Sequence, residues 1–213
     1  AKIFDLEPIS ALKYAKNLPQ LPDGAEGWFA IPLVYALAAK HFSEVTNPAK
    51  KYCRAIRFMH TKIASSRSFY TCYKKGQITP AQLRISARTS HAQGLIAEKQ
   101  AGDIMIIAAQ LGLRHRGRSV RRAREVFMEN EFGLGSFAVG SIFLTHPERE
   151  VQWKQLHVDC AGDEFSSEAD NDFSDTPYFD FCDGKVKFNA YWCGFAYGSY
   201  GSASGFLTQP ACR

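Results

Sequence analysis

The chain has 213 residues, 46% apolar and 22% charged, an ordinary globular composition. At that length it can bury roughly 70% of its unfolded surface, with no metal or disulfide needed to hold it. Its longest apolar stretch, Trp28 to Ala39, is twelve residues with Pro32 inside it, too short for a spanning helix of about 20 residues. The N-terminus carries Asp5 and Glu7 where a signal peptide would be basic and then apolar, so a soluble cytoplasmic protein without membrane contact is expected. The six cysteines, at 53, 72, 160, 182, 193 and 212, include no pair spaced by two to four residues. Neither a zinc knuckle nor a redox dithiol is written, and free thiols are expected.

Charge is unevenly spread. Val45 to Arg124 holds 17 Lys and Arg against two acids, a net +15, whereas Asp159 to Asp183 holds nine acids and no base. Either the acidic stretch folds back on the basic one, or the basic surface meets a polyanion such as nucleic acid or a phosphate-bearing ligand.

In chain order, Pro8 to Lys16 reads as a short amphipathic helix, and Glu26 to His41 as a buried helix kinked or started at Pro32. Asn47-Pro48 is a helix start, an N-cap followed by proline in the first turn. The helix it opens has Tyr52, Ile56, Met59 and Ile63 on one side and Lys50, Arg54 and Arg57 on another. Thr79-Pro80-Ala81-Gln82 reads as a second capped start for a helix running to about Gln100. Ile104 to Ala109 suits a buried strand. Ser119 can cap a helix with Val120, Ala123 and Phe127 in a stripe, and Ser136 to Thr145 is an apolar helix ended near Pro147. Leu156 to Cys160 reads as a strand. Asp183-Gly184 is a two-residue hairpin turn pairing Tyr178–Cys182 with Lys185–Asn189, Phe179 opposite Phe188 and Asp180 opposite Lys187. Gly194 to Phe206 reads as a long ordered loop whose Tyr197 and Tyr200 either pack over the sheet or offer stacking surfaces for bases. The expected architecture is α+β in one domain over 1–213. A helical N-terminal layer, about 1–100, would pack on a small, mainly antiparallel C-terminal sheet within a mixed part, 101–213.

The sharpest local signal is Gly112-Leu-Arg-His-Arg-Gly-Arg-Ser-Val120. Arg114, Arg116 and Arg118 crowd a turn at Gly117 ahead of a helix whose first turn adds Arg121 and Arg122. Guanidinium groups bind oxyanions bidentately, and a helix N-terminus favours an anion. Anion binding by Arg114, Arg116, Gly117, Arg118, Ser119, Arg121 and Arg122, extended by Lys50, Arg54 and Arg57, competes with internal salt bridging.

Arg114-His115-Arg116-Gly117-Arg118-Ser119 after a strand is similar to the pyrophosphate loop of GNAT-type acyltransferases. That resemblance implies backbone contacts to coenzyme A from Gly117 to Val120 and antiparallel strands leading into the loop. Ala108-Ala109-Gln110-Leu111-Gly112-Leu113 followed by Ser119-Val120-Arg121-Arg122 resembles a helix-turn-helix, with Val120 eight residues after Gly112 where six is usual. His157, Asp159, Asp163 and Glu164 are weak candidates for a divalent cation. No other metal, cofactor or catalytic motif stands out, and none of the six histidines forms a helical pair. A binding protein for nucleic acid or another polyanion is the first expectation. An enzyme on a phosphorylated or CoA-linked substrate comes second, and an assembly protein whose charged poles pair between copies third.

Overall fold

Asn47 opens the longest helix as its sequence dictates: its side chain accepts a hydrogen bond from Lys50 N at 3.0 Å, and Pro48 needs no donor in the first turn. This computed structural model describes residues 1–73, 76–149, 152 and 154–208. Its six α-helices are α1 (Ile9–Ala15), α2 (Val34–His41), α3 (Pro48–Ser66), α4 (Ala87–Gln100), α5 (Val120–Glu125) and α6 (Ser136–Thr145). The strands are β1 (Gly27–Pro32), β2 (Phe69–Thr71), β3 (Leu83–Ile85), β4 (Ile104–Leu111), β5 (Glu131–Gly133), β6 (His157–Asp159), β7 (Asp163–Phe165), β8 (Asp175–Cys182), β9 (Lys185–Trp192) and β10 (Tyr200–Phe206).

These ten strands form one mixed sheet, ordered β1-β4-β10-β6-β8-β7-β3, with β9 on β8, β2 on β9, and β5 beside the second half of β10. Only β10–β6 and β2–β9 are parallel among the described pairs. The expected helical N-terminal layer over a small C-terminal sheet is therefore wrong, because β1, β2 and β3 come from the first hundred residues and the sheet runs through the whole chain.

Three segments account for the difference. Trp28 to Ile31 belongs not to a helix but to β1, antiparallel to β4; a short apolar run has no period that separates strand from helix, and pairing decides. Thr79-Pro80 makes a turn, while Leu83–Ile85 pairs with Phe165–Asp163 and Ser86 caps α4 through Thr89 N. The tail is not a loop beyond Ser199: Tyr200–Phe206 is a strand buried almost throughout, lying between β4 on one side and β5 and β6 on the other. Its glycines disguise it, although Gly201 sits against the backbone of Gly112 where a side chain has no room.

The hairpin forms in the predicted register, with Phe179 opposite Phe188 and Asp180 opposite Lys187. Phe179 and Phe188 are fully buried and Phe181 is half-buried. Alternation along β6, β8 and β9 turns Val158, Phe179, Val186 and Phe188 toward the core. There α6 supplies Phe143, 5.3 Å from Phe179, and α3 supplies His60, 4.5 Å from Phe188. Burial holds His60 neutral, its pKa pushed down to about 3. The five described cysteines are free thiols, and Cys212 lies outside the described residues. Among the described residues, no helix is long and apolar enough to cross a membrane.

Candidate nucleic-acid interface

β4 is buried along all eight residues and delivers the chain to Gly112, whose φ of 109° and close approach to Gly201 exclude any other residue without strain. A Cβ at Gly112 would lie 2.6 Å from Gly201 O. The arginine turn that follows is clamped onto the segment between β9 and β10. Gly117 N donates to Tyr200 O at 2.9 Å, Arg121 N to Cys193 O at 2.9 Å, and Arg116 Nε to Gly198 O at 2.9 Å.

A buried polar network holds the turn from below. Glu131 and His115 are each 1% exposed. Arg118 donates to His115 Nδ1 at 3.0 Å, so the ring proton sits on Nε2 and is donated to Glu131 Oε1 at 2.7 Å. Glu131 also accepts from Ser204 Oγ at 2.5 Å and Met128 N at 3.2 Å, and Arg114 Nε lies 3.4 Å from it. Desolvation alone would raise this carboxyl, but the bonds from His115, Ser204 and Met128 N outweigh it and hold the pKa below its ordinary value. Gln110 completes the network, donating to Ser202 O and Ser204 Oγ and accepting from Gly112 N.

The predicted arginines thus divide by their partners. Arg114 faces Glu131, Arg122 pairs with Glu125 at 2.9 Å, and among the described residues the Arg118 side chain bonds the uncharged His115 and the carbonyl of Arg114. Arg116, Arg118 and Arg121 have no carboxylate partner among the described residues. The backbone offers less than the sequence implies. Ser119 caps α5 through Arg122 N, and the N–H groups of Gly117, Arg118 and Arg121 all bond within the protein. The site is made of side chains, not of a helix N-terminus.

Beside these arginines stands a row of exposed rings. Trp192, Phe195 and Tyr197 are 42%, 50% and 47% exposed, with centroids 5.2 Å apart for Trp192–Phe195 and 6.1 Å for Phe195–Tyr197. The guanidinium of Arg121 lies 5.1 Å above Trp192, within cation–π range. Sequence reasoning noted Tyr197 and Tyr200 but missed Trp192. The available signal was the density of rings in Tyr191-Trp192-x-x-Phe195-x-Tyr197 directly after a hairpin strand.

Under the ring row, the polar face of the sheet carries Tyr178, Tyr191 and Tyr200, mutually 5.1 to 5.9 Å apart, with Tyr197 packed on Tyr191 and Tyr200. Asp159 lies in this layer, its Oδ1 accepting from Tyr191 at 2.9 Å. Burial pushes its pKa up to about 7 against the pull of Tyr191, His157 and Arg124. Burial also raises Asp180.

The weak cation candidates do not converge. His157 and Asp159 face the tyrosine layer. Asp163 accepts from Tyr52 at 2.6 Å and Ser136 N at 2.7 Å, and Glu164 pairs with Arg84 at 2.6 Å. No group of three potential ligands occurs among the described residues. Lys50, Arg54 and Arg57 stand on α3, which packs mainly on α2, α6, β2 and β3 rather than on the arginine turn, and Arg54 faces Glu44 at 3.9 Å. Arg124 turns inward, donating to Ala161 O, Asp163 O and Thr176 Oγ1.

The acidic stretch does not cover the turn. Among the described residues, none of its carboxylates pairs with Arg114 to Arg122, and Arg84–Glu164 is the ion pair that joins the basic and acidic stretches. Comparison of the chain with protein-family models, curated proteins and solved structures finds no match.

Proposed function

We propose that this protein binds single-stranded nucleic acid on the surface made by Arg116, Arg118 and Arg121 together with Trp192, Phe195 and Tyr197. The observation that carries the reading is the arginine turn hydrogen-bonded to the ring-bearing segment, with Arg121 lying over Trp192. Phosphates need cations not already neutralised by internal carboxylates, and three arginines meet that condition. Unstacked bases need exposed ring faces, which a duplex cannot use because its bases already stack on one another. Contiguous exposed rings of this kind mark an interaction site more often than a free surface. Sequence preference should be slight, since phosphate contacts and stacking position a strand without specifying it.

Fluorescence anisotropy with a labelled single strand and the matching duplex tests this. Trp192→Ala is expected to weaken single-strand binding by about 1–3 kcal/mol, the worth of one stacked base, with the duplex affected less. Equal affinity for both forms, or no loss in Trp192→Ala, contradicts the reading.

A coenzyme A enzyme is the second reading, favoured by the antiparallel strands β1 and β10 on either side of β4, the strand that enters the turn. Against it, two of the four backbone donors required between Gly117 and Val120 are already engaged within the protein. The helix-turn-helix reading loses its first helix, because Ala108 to Leu111 is strand.

A further inference from the structure

A cavity of about 620 Å³ lies between the starts of α2 and α3, strand β3 and α4. This volume suits a small-molecule site. Its wall is mainly apolar, with Leu33, Leu83, Met105 and Phe137 among its members; Tyr52 also lines it, its hydroxyl committed to Asp163.

One wall residue has no structural reason to be what it is. Gly94 sits in the middle of α4, where glycine costs about 1 kcal/mol relative to alanine. A Cβ there would meet nothing within 4 Å. The other mid-helix glycine, Gly140 in α6, is explained by Met59, which leaves no room for a side chain. α4 lines the cavity with Ser90, Gln93, Gly94, Ala97 and Glu98, and the missing side chain at Gly94 leaves room beside Ser90 and Ala97.

Among the described residues, one cation without an internal counter-charge lines the cavity: Lys51, which with Pro48 and Ala49 comes from the first turns of the 19-residue α3. That first turn contains no acid, and Lys50 and Lys51 stand at the positive end of the helix dipole, where cations are disfavoured. Lys51 is half-buried and has no carboxylate partner among the described residues. Arg84 on the rim is held by Glu164 at 2.6 Å and stacks 3.8 Å from the Phe173 ring centroid. Glu98, the acid on the rim, is exposed to solvent on the last turn of α4.

We infer that this cavity is a binding site for a small single-chain amphiphile, its apolar chain lodged against Gly94 and its carboxylate head at Lys51 and the start of α3. This site is independent of the arginine–aromatic surface.

Titration with cis-parinaric acid, a fluorescent fatty carboxylate, tests the assignment, with N-phenyl-1-naphthylamine as a neutral apolar probe. The wild-type chain should bind parinarate saturably at one site. Gly94→Phe, which fills the cavity, should weaken both probes at least about tenfold, the effect of some 1.4 kcal/mol. Gly94→Ala should keep affinity within about twofold and raise the unfolding midpoint. Lys51→Met should weaken parinarate several-fold and leave the neutral probe unchanged. Ala97→Phe blocks the same wall and takes the place of Gly94→Phe if that variant does not fold, as judged by circular dichroism. The inference is overturned if wild type shows no saturable parinarate binding, if a folded filling variant binds as wild type does, or if Lys51→Met weakens both probes equally.

Discussion

Asp159 holds a proton in the folded chain that it releases on unfolding. Burial raises its pKa from 3.8 to about 7, so between about pH 4 and pH 7 the native state binds more protons than the unfolded one. This group's contribution to stability therefore declines as pH rises through that window and is smallest above it. Asp163, raised to about 6, acts in the same direction, whereas His60, lowered to about 3, stabilises more as pH rises toward 6.5. The wild-type curve is thus a compromise, and a difference between two proteins isolates one residue. In urea titrations, Asp159→Asn should gain on wild type by an order of a few kcal/mol between about pH 4 and pH 8. A difference that stays flat with pH would show that Asp159 titrates normally. Glu131 is a different case, a buried carboxylate answered by His115 and Arg114. Glu131→Ala removes the acceptor of His115, Ser204 and Met128 N and should cost about 3 kcal/mol, since each buried donor left unsatisfied costs about 1–3 kcal/mol, read from the urea midpoint. A loss below about 1 kcal/mol, the scale of an exposed pair, would count against that network.

At the scale of elements, the arginine turn depends on two backbones approaching at Gly112 and Gly201. Gly112→Ala forces a side chain into a left-handed conformation and against Gly201 O. It should destabilise by at least 1–2 kcal/mol and loosen the turn, seen as faster amide exchange at Gly117 and Arg121. Unchanged exchange at both would mean that the clamp does not rely on this contact. The same element shows what was legible beforehand. The buried strand Ile104 to Ala109, the cap at Ser119, the apolar helix Ser136–Thr145 and the hairpin at Asp183-Gly184 each carry their signal in adjacent residues. β1, β3 and β10 do not. Trp28 to Ile31 needs β4 beside it to be a strand, Leu83 to Ile85 needs β7, and the Gly- and Ser-rich β10 has almost no signal apart from its neighbours. The arginines of the site could be read directly. Of the rings, sequence reasoning names Tyr197 and not Trp192, and the meeting of Trp192 with Arg121 depends on β10 returning to the sheet beside the turn, which no local pattern encodes.

Across the whole molecule, the charge polarity of the sequence is resolved less by neutralisation than by burial and local pairing. Asp159, Asp163 and Asp180 are buried with raised pKa values, Glu164 pairs with Arg84, and Asp183 pairs with Lys187 at 2.7 Å. Lys50, Arg54 and Arg57 stand apart on α3, so the proposed binding footprint is confined to the turn and its ring row. This smaller footprint sets a number. Three arginines neutralising phosphates on a single strand should give a slope of about −2 for log affinity against log salt, since each contact contributes about −0.7. Single-strand binding by the arginine turn is decided by that slope, taken by anisotropy with a labelled single strand for wild type and for the double variant Arg116→Ala, Arg118→Ala. A slope near −2 that flattens to roughly −0.7 in the variant is expected. An equal slope in both proteins, or wild-type binding too weak to measure at about 50 mM salt, where such contacts are strongest, would contradict it.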